Sequence, residues 1–141
     1  MVAGTPQSRK SKGRVFQQHL REDLITHLNI NPDDILSTAM GQGGCDLYLS
    51  PAARARFPFG VEAKRQEQVA LWSWWKQCET NASKVGLVPL LVFKRNREEP
   101  LAVLRWRDLL DLLASISSSQ TDSSDHRWQN LAEGLMGGEQ P

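Results

Sequence analysis

The sequence predicts an α/β domain: a small mixed central sheet flanked by helices. Three observations predict it. Phe16, Leu20, Leu24 and Leu28 recur every four residues, the spacing of one helix face. Short apolar runs with period-two alternation follow, bounded by glycine, proline and serine. A second helical repeat through Leu71, Trp75, Cys78 and Ala82 separates two of those runs, an order that lays helices against a sheet. At 141 residues the chain is long enough for one domain with a core and too short for two ordinary ones.

Residues 1–12 (MVAGTPQSRKSK) are small, polar and basic, and read as a flexible arm. The first helix is expected over Arg14–Leu28, with Gln17 at the edge of its apolar face and Glu22 pointing away. Asn31-Pro32 ends this unit, and Asn31 is suited to cap a short turn through Ile35. Residues 37–44 (STAMGQGG) suggest a short strand and a glycine loop. Residues 46–49 (DLYL) alternate as a strand, which Ser50-Pro51 terminates. An excursion over 51–58 carries Arg54 and Arg56. A strand from Phe59 to Ala63 follows, and its continuation puts Glu62 and Lys64 on one face.

A helix is expected over Gln68–Ser83, closed by Gly86. Pro89–Phe93 (PLLVF) reads as a central strand, residues 94–100 (KRNREEP) as a charged turn and Leu101–Leu104 as the next strand. Arg105–Ala114 forms a short helix with Trp106, Leu109, Leu110 and Leu113 on one face. Residues 13–114 thus form the expected domain. A polar linker over 115–127 opens an acidic tail (115–141) with a candidate short helix at 128–135.

The net charge of +1 hides an asymmetry: residues 1–107 carry 16 basic and 10 acidic residues, residues 108–141 carry 1 and 6. The first part is suited to face a polyanion and the tail is not. No apolar run reaches the length of a membrane helix. Gly41, Gly43 and Gly44 lack the Lys-Ser/Thr ending of a phosphate loop, so a nucleotide cofactor is not implied. Cys45 and Cys78 form no CxxC pair, His19, His27 and His126 show no ligand spacing, and no apolar signal segment is present. Zinc is disfavoured, and a reducing cytoplasm is the expected compartment.

The chemistry concentrates at Asp46 and at Glu62-Ala63-Lys64. Adjacent strands would each offer a carboxylate near one sheet edge, and such a pair holds Mg²⁺ or Mn²⁺, hard cations that take oxygen ligands. The Ala63 carbonyl is a third candidate ligand. The Lys64 ammonium is suited to orient a water or to offset charge on a phosphodiester. An acid two residues before a lysine is a weak signal alone, since this composition gives about 0.7 such pairs by chance. A solvent-facing strand-end acid is the bland alternative for both carboxylates.

Three basic clusters accompany these residues: Arg9, Lys10, Lys12 and Arg14; Arg54 and Arg56; and Lys94, Arg95 and Arg97. Each alone is a solvated face, but together they favour DNA, and phosphate contacts of this kind read shape more than sequence. Of three tryptophans within four residues, Trp75 is expected in the core, Trp72 in the core or a dimer interface, and Trp74 exposed as a partner surface.

Gly44-Cys45-Asp46 followed by Glu62-Ala63-Lys64, a helix and an apolar strand resembles the PD-(D/E)xK nuclease superfamily. Ser11-Lys12-Gly13-Arg14 with its helix, and the stretch Pro89–Arg97, resemble small phage endonucleases of that superfamily and are similar to archaeal-type Holliday junction resolvases. The resemblance spans about residues 10–110 and implies a restriction-endonuclease-like fold. It implies that Asp46 and Glu62 bind metal, that Lys64 is the motif lysine, and that Gln66 positions water or substrate. It also implies phosphodiester hydrolysis leaving 5′-phosphate and 3′-hydroxyl ends, a homodimer, and host cytoplasm as the setting if the source is a phage. Two positions depart from the pattern: Cys45 replaces the motif proline, and Gln17 stands where resolvases carry a glutamate, a catalytic-site position at which its amide offers a carbonyl or holds a metal-bound water without charge. The rival reading is a non-catalytic DNA- or protein-binding module that keeps the nuclease fold.

Overall fold

The computed structural model of the chain describes residues 4–38 and 43–119. The expected helix at 128–135, Gly41 and His126 lie outside the described residues. The chain divides into two compact units after Arg105.

Helix α1 spans Pro6–Leu28, so residues 6–12 are helical and not the arm expected from composition. Local chemistry sets this early start. Thr5 caps the helix by accepting the Ser8 N–H, and Pro6 occupies the first turn, where its missing N–H costs nothing. The helix ends at Asn29, whose φ of 53° is the left-handed cap conformation. Asn31 caps the turn Pro32–Asp34, as its position suggested.

Strands β1 (Ile35–Ser37) and β2 (Leu47–Leu49) form an antiparallel pair, with Ile35 opposite Leu49 and Leu36 opposite Tyr48. The excursion that follows is helical, α2 over Pro51–Arg56, capped by Ser50. Strand β3 (Phe59–Arg65) leads into α3 (Leu71–Lys84) and then β4 (Val88–Lys94). β3 and β4 pair in parallel, which requires such a helical crossover. β5 (Leu101–Val103) adds antiparallel to β4, so β4 is central. The expected single mixed sheet is therefore two small sheets. They are bridged where the Asp46 N–H donates to Val61 O at 2.9 Å.

Alternation along β3 sorts the core. Val61 and Ala63 join Phe16, Leu20, Ile30, Ile35, Leu47, Leu49 and Ala53 in one apolar cluster. The opposite face meets α3, where Trp74 and Cys78 cluster with Leu91. Gly60 permits this close approach: a Cβ there would lie 2.8 Å from Ala82 Cβ and 2.9 Å from Cys45 Sγ. The buried stripe of α3 is Trp74, Cys78 and Ala82, with the expected Leu71 and Trp75 partly buried against the same cluster, so the face is centred nearer Trp74 than expected. Stepping back from Cys78 by four residues in place of three selects Trp74, whose ring packs 5.9 Å from that of Phe93.

In the second unit, α4 (Trp106–Ser119) continues five residues beyond Ala114, into the expected linker. Ser115 and Ser117 hydroxyls donate back to the carbonyls of Leu112 and Leu113. Serines bonded this way are absorbed into a helix rather than breaking it.

Candidate active site

Asp46 and Glu62 meet because the two small sheets touch at one point. Asp46 stands just before β2, and its Oδ2 accepts the Ala63 N–H at 2.7 Å. Thr38 closes the other side, its hydroxyl donating to Cys45 O at 3.1 Å and its N–H to Asp46 O at 2.9 Å. Glu62 is 3% exposed on the α3 face of β3. Lys64 Nζ lies 3.2 Å from Glu62 Oε1 and donates to Gln77 Oε1 at 3.0 Å. Asn81 Nδ2 donates to Glu62 Oε2 at 3.4 Å.

This arrangement strains the charge on Asp46. Burial, then the nearby Glu62 carboxylate, raise its pKa from 3.8 to about 6, against the opposing effects of the Ala63 N–H and Lys64. Two carboxylates crowded out of water are stabilised by a cation. Asp46 Oδ1 has no hydrogen-bond partner among the described residues, which leaves it available as a ligand. Among the described residues no cluster of three or more His, Cys, Asp or Glu side chains is arranged to hold a metal. The oxygen donors that Asp46 and Glu62 bring together are of the type that hard divalent cations take. Both thiols stay protonated at neutral pH. Burial raises Cys45, and burial followed by the Glu62 charge pushes Cys78 to about 12.

A family model described as "phage putative PDDEXK endonuclease" matches residues 8–133, most of the chain. The chain belongs to this family of phage PDDEXK endonucleases. Its mixed α/β fold fits that assignment, and the family makes it a nuclease. Searches of curated proteins and of solved structures returned no match. Glu62-Ala63-Lys64 has the spacing of the (D/E)xK part of that family's name, and Asp46 is joined to it by the Ala63 hydrogen bond. Cys45, just before Asp46, packs its sulfur close to Gly60.

Other expected residues fall in different places. Gln17 is buried on α1, the helix that packs against the Val61–Ala63 face of β3, where a neutral amide costs less to desolvate than a glutamate. Gln66 lies one residue beyond β3, its N–H donating to Lys94 O and its side chain exposed. Arg9, Lys10, Lys12 and Arg14 are exposed on the first turns of α1. Cations at a helix N-terminus are disfavoured by the helix dipole, and no acidic residue offsets them in the first turn.

Arg54 donates to Leu49 O and Val85 O, and Arg56 to Asn29 O, so both also tie down backbone carbonyls at the ends of β2, α3 and α1. Lys94, Arg95 and Arg97 cluster at the end of β4, where Arg95 pairs with Glu67 at 3.6 Å. Trp74 is corrected. It is 6% exposed in the core and is no partner surface, whereas Trp72 is 76% exposed. Trp75 is half-buried, beneath the Arg105 guanidinium.

Sequence reasoning missed Gln77 and Asn81. Their only signal was an i, i+4 polar pair on a helix, common on any solvated face. Among the described residues no helix is long and apolar enough to cross a membrane.

Proposed function

We propose that this nuclease is an Mg²⁺-dependent endodeoxyribonuclease, with Mn²⁺ as an alternative metal, acting on branched or junction DNA. Hydrolysis of the phosphodiester would leave 5′-phosphate and 3′-hydroxyl ends. One observation carries the reading: the hydrogen bond from Ala63 N–H to Asp46 Oδ2, which fastens the motif aspartate to the centre of the Glu62-Ala63-Lys64 triplet.

Asp46 and Glu62, with the Ala63 carbonyl, would hold the metal, which when bound supplies Lewis-acid stabilisation of charge developing on the phosphodiester. Lys64 reaches the same space with a fixed ammonium, placed to orient the attacking water and to offset negative charge on the phosphate. Arg9, Lys10, Lys12 and Arg14 present a cationic end of α1 to the DNA backbone, with Lys94, Arg95 and Arg97 as a second contact. Contacts of this type read backbone shape, which supports a structured substrate over a base sequence. A homodimer, built through the exposed Trp72, would match the paired strands of a junction.

The test compares end-labelled four-way, flap, single-stranded and linear duplex DNA in Mg²⁺, Mn²⁺ and EDTA, with Glu62→Gln beside the parent. Paired cuts in the four-way junction, lost in EDTA and in the variant, are expected. Cuts confined to flap or linear DNA would refute the junction preference. Binding without any cut would favour the non-catalytic module.

A further inference from the structure

Gln77 is exposed on α3, where any helix-forming residue would serve the fold. Its amide oxygen nevertheless accepts a 3.0 Å hydrogen bond from Lys64 Nζ. One turn further, Asn81 turns an amide N–H toward Glu62 Oε2 at 3.4 Å. α3 thus offers an acceptor to the cation and a donor to the carboxylate.

The two acceptors available to Lys64 have opposite consequences. In the 3.2 Å ion pair with Glu62, the ammonium occupies a carboxylate oxygen and cancels charge that a metal would use. The ammonium makes both contacts at once, and its bond to Gln77 is to a neutral group that draws it partly away from the Glu62 carboxylate. We infer that Gln77 is a positioning residue: it shares the Lys64 ammonium, limits the Glu62–Lys64 ion pair and so keeps Glu62 available to a divalent cation. This rests on the reading of Asp46 and Glu62 as the metal-holding pair. Residues that orient metal ligands from behind in this way typically change affinity or activity by about 10–100-fold when removed.

The experiment measures Mn²⁺ affinity calorimetrically on the full chain without DNA, for the parent, Gln77→Met, Gln77→Glu, Lys64→Met, Glu62→Gln and the double variant Lys64→Met/Gln77→Met. Gln77→Met keeps the length and removes the acceptor, and it should weaken Mn²⁺ binding roughly tenfold. Single-turnover cleavage at a fixed, subsaturating Mn²⁺ concentration should fall with it, while DNA affinity in EDTA stays unchanged. Gln77→Glu keeps an acceptor for Lys64 and should bind Mn²⁺ at least as tightly as the parent. In the Lys64→Met background the competing cation is gone, so adding Gln77→Met should change nothing.

Equal Mn²⁺ affinity in the parent and Gln77→Met, or the same loss with and without Lys64, overturns the inference. Glu62→Gln separates the two levels of the argument. If it abolishes binding while Gln77→Met has no effect, only the role of Gln77 fails. If Mn²⁺ affinity survives Glu62→Gln, or the parent binds no Mn²⁺, the reading of the site fails and the inference with it.

Discussion

Replacing Asp46 by asparagine should stabilise the metal-free protein while removing its activity. In the fold, burial and the Glu62 charge raise the Asp46 pKa from 3.8 to about 6. The folded state therefore holds the Asp46 proton more tightly than the unfolded chain does. Its contribution to stability is fully present below pH 3.8, declines as pH rises through about 6, and is gone above that. The difference corresponds to about 3 kcal/mol. Asparagine keeps an oxygen for the Ala63 N–H and carries no charge, so it escapes this loss. In EDTA at pH 8, urea denaturation should give the variant a stability higher by about 2–3 kcal/mol. With a slope of roughly 1–3 kcal/mol per molar, that moves the midpoint upward by about 0.7–3 M. At pH 4 the gap should nearly close. Mg²⁺ or Mn²⁺ should stabilise the parent and not the variant. Equal pH dependence in the two proteins, or a variant less stable at pH 8, would refute the charge-crowding argument.

Three other substitutions probe the structure around this site. Arg54→Ala removes two bonds to backbone carbonyls and should lower stability by about 1–2 kcal/mol in urea denaturation, with DNA affinity in a gel-shift titration unchanged. Gly60→Ala would drive a methyl into Ala82 and Cys45, and should cost about 1–3 kcal/mol by the same measurement. Trp74→Ala should cost about 3–5 kcal/mol in thermal or chemical unfolding, whereas Trp72→Ala should leave monomer stability within about 0.5 kcal/mol. If Trp72 builds the dimer, its replacement should lower the sedimentation coefficient at fixed concentration.

Much of the site was legible because it is local in sequence. Glu62 and Lys64 share a strand face by simple alternation, and the Gly-x-Asp turn before β2 stands one short excursion upstream. The order of helices and strands was equally readable, since four-residue and two-residue periods survive in a single chain. Capping shifted the boundaries. Thr5-Pro6 starts α1 well before its apolar stripe does, and back-bonding serines carry α4 past Ala114.

By itself, then, the sequence determined the α/β order, the carboxylate and lysine positions, and the apolar faces of α1 and β4. Tertiary structure alone decided which of two adjacent tryptophans is the more deeply buried, because the close seat of Ala82 over Gly60 turns the Trp74–Cys78–Ala82 stripe inward. It alone brought Arg54 and Arg56 to carbonyls at the ends of α3 and α1, a demand that no charge pattern records. And it alone joined Gln77 to Lys64 and Asn81 to Glu62 across 13 and 19 residues, since a polar side chain shows its partner only when the chain has folded back on itself.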